Sequence, residues 1–322
     1  VRLPPNHQST TRSGDELLVP DTSSNIETAP SKVELGEFNE NIITGDEIQR
    51  LLEEQQDDRL DKQGELLEAI RKDRFEVVQF LVDKCGADVN MHNSNGSNAL
   101  LEAARNGHVD ILRFLVAEGG ARVDMRNNYG STVLTLAARG GRVDVVRLVH
   151  NWDTDVNIHE SDRLTALMEG AGGGHMSVVQ FLVNEGVDVN IRDSKRSTAL
   201  MEASHGGHMD VVRFLVDEWG AGVNMRNSNG STALMEAASN GHIAVVRFLL
   251  AEGGARVNAL NSYGSTALME AAGGGHTNVV QFLVTESGAS VHMQNNYGSN
   301  ALILAALGGH LDVVRFLVTA SG

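Results

Sequence analysis

Along most of this chain an alanine or valine followed by leucine returns at nearly constant steps. The pairs are Ala99-Leu100, Val133-Leu134, Ala166-Leu167, Ala199-Leu200, Ala233-Leu234, Ala267-Leu268 and Ala301-Leu302, separated by 34, 33, 33, 34, 34 and 34 residues. A fixed step of this length implies stacked supersecondary units, none of which can bury its apolar face alone, so the core grows by addition. The stretch 231–264 shows the content of one unit. Ser231-Thr232 stands at a helix start, and Ala233, Leu234, Ala237 and Ala238 predict a short helix whose small-residue face lets neighbours approach closely. Gly241-His242 breaks it, and the apolar run at 243–250 predicts a second helix packed on the first and on adjoining units. Gly253-Gly254 ends that helix, since glycine takes positive φ without penalty. An extended Arg256-Val257-Asn258 then leads into a tight turn at Asn261-Ser262-Tyr263-Gly264. Asn95-Gly96 and Asn229-Gly230 carry the same signal and predict hairpin turns whose two central residues both take positive φ.

The pattern fades toward the N-terminus. Residues 1–43 hold all four prolines, Pro4, Pro5, Pro20 and Pro30, with many Ser and Thr and few large apolar groups. Burial there cannot offset chain entropy, so the segment is expected to be disordered. Thr44 and Glu47 have the spacing of a capping box, and Ile48, Leu51, Leu52 and Leu60 recur near helical intervals, predicting a helix over 45–62 within a capping and linker segment at 44–64. Leu66-Leu67-Glu68-Ala69-Ile70 matches Leu100-Leu101-Glu102-Ala103-Ala104 at an offset of 34, which makes 65 the start of a degenerate first unit and 65–322 the array.

A repeated helix, turn, helix and hairpin of this length resembles the ankyrin repeat. Thr132-Val133-Leu134-Thr135-Leu136-Ala137-Ala138 matches that family's Thr-Pro-Leu-His-Leu-Ala-Ala motif, Gly241-His242 its Gly-His, and Ala87-Asp88-Val89-Asn90 its Ala-Asp-Val-Asn. The resemblance implies an all-α solenoid of about eight units, each a helix pair with a β-hairpin loop. It also implies a concave face of hairpin fingers and inner helices that binds other proteins. Two departures carry expectations of their own. No unit has the motif's Pro, and Met168, Met201, Met235 and Met269 replace its His, so modest stability per unit is expected. Most units carry one extra residue after the second helix, as in Glu118-Gly119-Gly120-Ala121, which should bulge.

Charge narrows the partner class. The chain has a formal net charge of -16, and its first 64 residues, with 14 acidic and 6 basic side chains, supply -8 of it. A groove for nucleic-acid phosphates needs clustered Lys and Arg; the sequence shows no such cluster, so other proteins are the expected partners and the chain is expected to be monomeric. No apolar run approaches the roughly 20 residues that cross a bilayer. Cys85 is the only cysteine, which rules out an intrachain disulfide and points to a reducing compartment, the cytoplasm or the nucleus.

No reaction chemistry assembles at motif spacing, and no cofactor is expected. Gly172-Gly173-Gly174 precedes His175 with no Lys where a phosphate loop needs one. His108, His175, His208, His242, His276 and His310 recur in register, but stacked helices lie ~8 to 10 Å apart, too far for neighbours to share one metal at ~2.1 Å. A hydrogen-bonding role in the stack is expected for this row, and no metal site is expected, although His205 and His208 have a suggestive spacing. Phe80, Phe114, Phe181, Phe214, Phe248, Phe282 and Phe316 recur on the second helices and are expected to be core. Asn90, Asn157, Asn190, Asn224 and Asn258 fall where the resemblance implies possible hydroxylation by an asparaginyl oxygenase.

Three groups are candidates for partner contact. Glu102, Glu169, Glu202, Glu236 and Glu270 form a row on the first helices, read either as a solvated face or as an acidic ladder that receives Lys or Arg of a partner. Tyr129, Tyr263 and Tyr297 each stand beside a turn glycine, with phenols expected in solvent, as recognition anchors or as copies left by tandem duplication. Two central fingers are charged: Glu160-Ser161-Asp162-Arg163 and Asp193-Ser194-Lys195-Arg196 replace Asn and Gly, and make Arg163, Lys195 and Arg196 candidates within a distinctive patch at 150–196. The leading expectation is a non-enzymatic scaffold or adaptor. The alternative is the regulatory or targeting segment of a longer enzyme or channel, suggested by a final unit that keeps Ile303, Leu304, Leu307 and Leu311 without a cap's polar substitutions.

Overall fold

The computed structural model describes Arg50, residues 61–152 and residues 160–320, apart from the side chains of 160–164. The expected disordered segment at 1–43 and most of the capping segment at 44–64 lie outside those residues, although Arg50 itself is helical. Among the described residues the chain forms eight helix pairs, with first helices odd-numbered and second helices even-numbered. They are α1 (Lys62–Arg71) and α2 (Phe75–Asp83), α3 (Ala99–Asn106) and α4 (Val109–Ala117), α5 (Val133–Arg139) and α6 (Val143–Asn151), and α7 (Glu160–Gly172) and α8 (Met176–Asn184). Then follow α9 (Ala199–Gly206) and α10 (Met209–Arg213, continued as a π-helix over Phe214–Glu218), α11 (Ala233–Ser239) and α12 (Ile243–Ala251), α13 (Ala267–Gly273) and α14 (Thr277–Thr285), and α15 (Ala301–Leu307) and α16 (Leu311–Ala320). Each first helix packs on its own second helix and on the first helices of adjoining units.

Side-chain caps start the first helices. Asn98, Thr132, Thr198, Thr232, Thr266 and Asn300 accept the backbone N–H of Leu101, Thr135, Met201, Met235, Met269 and Ile303. Each such cap contributes about 1 kcal/mol and offsets the missing Pro. The turn to the second helix needs a left-handed glycine: Gly107, Gly141, Gly174, Gly207, Gly241, Gly275 and Gly309 have φ between 69° and 90°. Space matters there as well as φ. A Cβ on Gly141, Gly174, Gly207, Gly241 or Gly275 would lie 2.4 to 2.5 Å from Nδ1 of the next unit's histidine. Those histidines stitch the stack together. Nε2 of His175, His208, His242, His276 and His310 lies 2.8 to 2.9 Å from the carbonyl oxygens of Arg139, Gly172, His205, Ser239 and Gly273 one unit back.

The core is continuous from unit to unit. Met168, Met201, Met235 and Met269 are buried in it, so the residues that replace the motif's polar histidine act as apolar filling. Phe114, Phe181, Phe214, Phe248 and Phe282 are buried, but Phe80 and Phe316, in the first and last units, are only partly so. The expectation of seven core phenylalanines is thus corrected at the ends. Leu307, Leu311 and Val318 are 77%, 58% and 57% exposed, because among the described residues α15 and α16 have a packing neighbour on one side only.

The extra residue after each second helix does not bulge freely. In α4 the N–H groups of Glu118 and Gly119 both bond Phe114 O, and Ala121 N–H bonds Leu115 O, closing the helix end on itself. Asn90 of the preceding unit then clamps the loop: its Nδ2 donates to Gly120 O and its Oδ1 accepts from Arg122 N–H. Asn190, Asn224 and Asn258 make the same kind of bond one unit on, while Asn157 lies outside the described residues. Trp219 stands where other units have Gly119 and Gly253, whose Cβ would come within 3.0 Å of a carbonyl oxygen of the helix. There the second helix widens into its π segment, which makes room for the larger residue.

The fingers differ from the expectation in two ways. No strand occurs among the described residues, because a finger closes on a single residue pair, as with Asn261 N–H to Ser265 O around the turn bond from Gly264 N–H to Asn261 O, and gives its next bonds to neighbouring fingers. The turns also need only one positive φ, at Gly96, Gly130, Gly230, Gly264 and Gly298; the preceding Asn or Tyr stays negative. The leading Asn shapes the turn instead. Asn261 Oδ1 accepts from Tyr263 N–H and Ser265 N–H at 2.9 Å each.

Candidate functional site

The first helices and fingers present one face, and on it the carboxylate row is braced from two directions at Glu102 and Glu236 and from one at Glu169 and Glu270. From its own unit, the finger Asn folds back nine residues to the helix: Asn93 Nδ2 to Glu102 at 3.4 Å, Asn227 to Glu236 at 3.5 Å and Asn261 to Glu270 at 3.0 Å. From the unit before, Arg71 approaches Glu102 at 4.0 Å, Arg139 Nε donates to Glu169 at 2.7 Å and His205 Nδ1 lies 3.4 Å from Glu236. Glu102 is buried, at 7% exposure, and the other four are half-buried. The reading of this row as a solvated face is therefore corrected, since none of its five members is exposed. The offset of nine between the finger Asn and the Glu is visible in the sequence, but every pair of positions in a repeat keeps its spacing, so the offset alone does not reveal the brace.

Glu202 has neither brace. Its finger carries Asp193 where an amide would stand, so a second carboxylate faces it. Burial pushes the Glu202 carboxyl above the usual carboxylate range, the charges of Asp193 and Glu236 push the same way, and His205 and a hydrogen bond from Ser197 oppose them. Glu270 is also raised by burial, against hydrogen bonds from Asn261 and Ser265.

The two charged fingers behave differently. At 193–197 a finger forms: Asp193 Oδ1 accepts Ser197 N–H at 2.7 Å, and Arg196 takes φ +61° where five other fingers have glycine. At Glu160–Arg163 the expected finger is absent, because α7 already begins at Glu160. Glu is one methylene longer than Asp, so it fits the tight side-chain turn poorly. The side chain of Arg163 lies outside the described residues, as do 153–159.

An open depression of about 1070 Å³ lies along this central stretch. Tyr129 and Lys195 line it from the fingers, and Arg139, Glu169 and Glu202 from the helices. Four of the predicted contact residues, Tyr129, Lys195, Glu169 and Glu202, are thus brought together; Arg139 is a member that sequence reasoning missed. Glu102, Glu236, Glu270, Tyr263 and Tyr297 belong to other units and do not line the depression. The phenols do reach solvent: Tyr129 is 75% and Tyr297 76% exposed, with Tyr263 at 48%. Arg196 turns to a separate depression.

The described residues contain no His, Cys, Asp and Glu cluster that could hold a metal ion, and none of their helices is long and apolar enough to cross a membrane. A comparison with curated proteins found no similar sequence. The family model for ankyrin repeats (3 copies) matches in overlapping segments, at 66–162, 148–227, 165–261, 219–295 and 253–322. Ankyrin repeats are generally protein-interaction modules. The match spans 66–322, most of the chain, and the eight helix pairs joined by fingers agree with it, so the chain belongs to the ankyrin-repeat family.

Proposed function

We propose that the array is a non-catalytic protein-interaction scaffold, and that a partner lies along its concave face with the central depression as the main contact. The observation that carries this reading is the meeting of an exposed Tyr129, a Lys195 finger and the Glu169 and Glu202 carboxylates around one open volume of about 1070 Å³. Tyrosine supplies contact area at low rotamer cost, and charges of both signs give a partner its orientation more than its affinity. Glu202, lacking an amide or guanidinium partner, is the member of the carboxylate row best placed to receive a partner's Lys or Arg. Tyr263 and Tyr297 extend the contact along later fingers. The single, buried Cys85 suits a reducing compartment, and the protein works there as a monomer.

Quantitative affinity capture from cell extract tests the assignment, with the full chain and with Tyr129→Ala, Lys195→Gln and Glu202→Gln combined. Proteins held by the parent chain are expected to fall by about tenfold or more with the triple variant, given hot-spot losses of about 2 kcal/mol. Equal capture by a triple variant with an unchanged melting curve would remove the depression from the interface.

A further inference from the structure

Where the finger at 193–197 meets the stretch leading to the next finger, three guanidinium side chains line one depression of about 600 Å³. They are Arg192, Arg196 and Arg226; the stretch 222–225 completes the wall, and no carboxylate contributes to it. The guanidinium groups of Arg192 and Arg196 have no ion pair or hydrogen bond among the described residues. Arg226 donates only to neutral carbonyls, Gly230 O at 3.1 Å and Leu260 O at 2.6 Å. This cluster runs against the balance of a chain with 42 acidic and 26 basic residues.

A second observation points to the same place. Arg196 holds φ +61° at a turn position that is Gly96, Gly130, Gly230, Gly264 and Gly298 in other fingers. A side chain in the left-handed region is strained, and the fold of the finger gains nothing from it. What Arg196 adds is a third cation beside Arg192 and Arg226.

We propose that this depression binds the phosphoryl group of a phosphorylated side chain on a partner protein. One carboxylate carries a single charge, whereas a phosphoryl group carries about -1.5 to -2 and three strong acceptor oxygens, a better match to three forked donors. A nucleic-acid strand is disfavoured because its phosphates continue past the depression into the field of a chain with net charge -16. The inference extends the protein-binding reading to a second kind of contact. Arg192 lines both depressions, whereas Arg196 and Arg226 do not line the Tyr129 depression, so Arg196→Gly and Arg226→Gln let each reading fail alone.

Fluorescence anisotropy on the full chain at low salt would use four probes: a labelled peptide with one phosphoserine, its unphosphorylated twin, a short single-stranded RNA, and inorganic phosphate as competitor. The phosphopeptide is expected to bind at least about tenfold more tightly than the twin or the RNA, and Arg192→Gln, Arg196→Gly and Arg226→Gln each to weaken it about tenfold. Arg126→Gln, on a finger away from the depression, leaves binding unchanged. Arg196→Gly relieves the strained turn, so its melting temperature is expected to stay level or rise, which separates lost binding from lost folding. Parental affinity in Arg196→Gly, or equal binding of the twin, would overturn the proposal. Tightest binding of RNA through the same arginines would assign the depression to nucleic acid instead. Competition by inorganic phosphate at the peptide's own concentration range would make it a free-anion site, and would equally overturn the assignment to a partner protein.

Discussion

Glu202 shows how one side chain's surroundings depart from a repeated plan. Its counterpart Glu270 receives an amide from Asn261 at 3.0 Å, whereas Glu202 faces Asp193. Burial holds the Glu202 carboxyl above its free value, so the folded chain binds that proton more tightly than the unfolded chain does. The resulting cost to stability is absent below the unfolded pKa of about 4.3, grows as pH rises through that value, and is complete above the raised folded value. Glu202→Gln is therefore expected to raise the melting temperature near neutral pH by on the order of 2 °C, with the gain vanishing near pH 4. Melts across that range would decide, and an equal gain at every pH would rule out charge burial as the cause.

At the scale of one element, the second helices carry the largest buried groups and also join neighbours. Phe248 on α12 is buried, and the Arg213 guanidinium of the preceding unit lies 4.8 Å above its ring. Phe248→Ala is expected to cost about 3 to 5 kcal/mol, and hydrogen exchange should accelerate in α9 to α14 while α1 to α4 stay protected. Uniform acceleration along the chain would show that the units do not respond locally. These helices were legible because seven Ala-Leu or Val-Leu pairs, six Gly-His breaks and a series of apolar runs recur in register, and each signal is local in sequence. The fingers were less so. Helical periodicity does not reveal an Asn nine residues upstream folding back onto Glu270, and Glu160 and Asp193 differ by a methylene, yet one lies in a helix and the other closes a turn. The distinctive stretch at 150–196 was recognisable as a break in the pattern, but the division of its charges between two depressions depends on which way each finger turns.

Across the whole array, position in the stack sets the cost of a change. Leu307 and Leu311 lie on the open side of the last unit, so Leu307→Gln with Leu311→Gln is expected to change unfolding free energy by no more than about 0.5 kcal/mol each. Leu249→Ala, in a fully covered site, is expected to cost about 2 to 5 kcal/mol in the same denaturant titration. Comparable losses at the two places would mean that the exposed end is covered in solution.

The histidine that reaches one unit back has a consequence for how such a molecule can change in size. Each of these links joins equivalent atoms, so excising 233–266 would splice Thr232 to Ala267 and offer His276 the carbonyl of His205 in place of that of Ser239. Reach is thus a quantity that can be lengthened or trimmed in whole copies without inventing a new joint. The Arg192 and Arg226 pair does not share that freedom, because it straddles one particular seam and is lost if anything is inserted there.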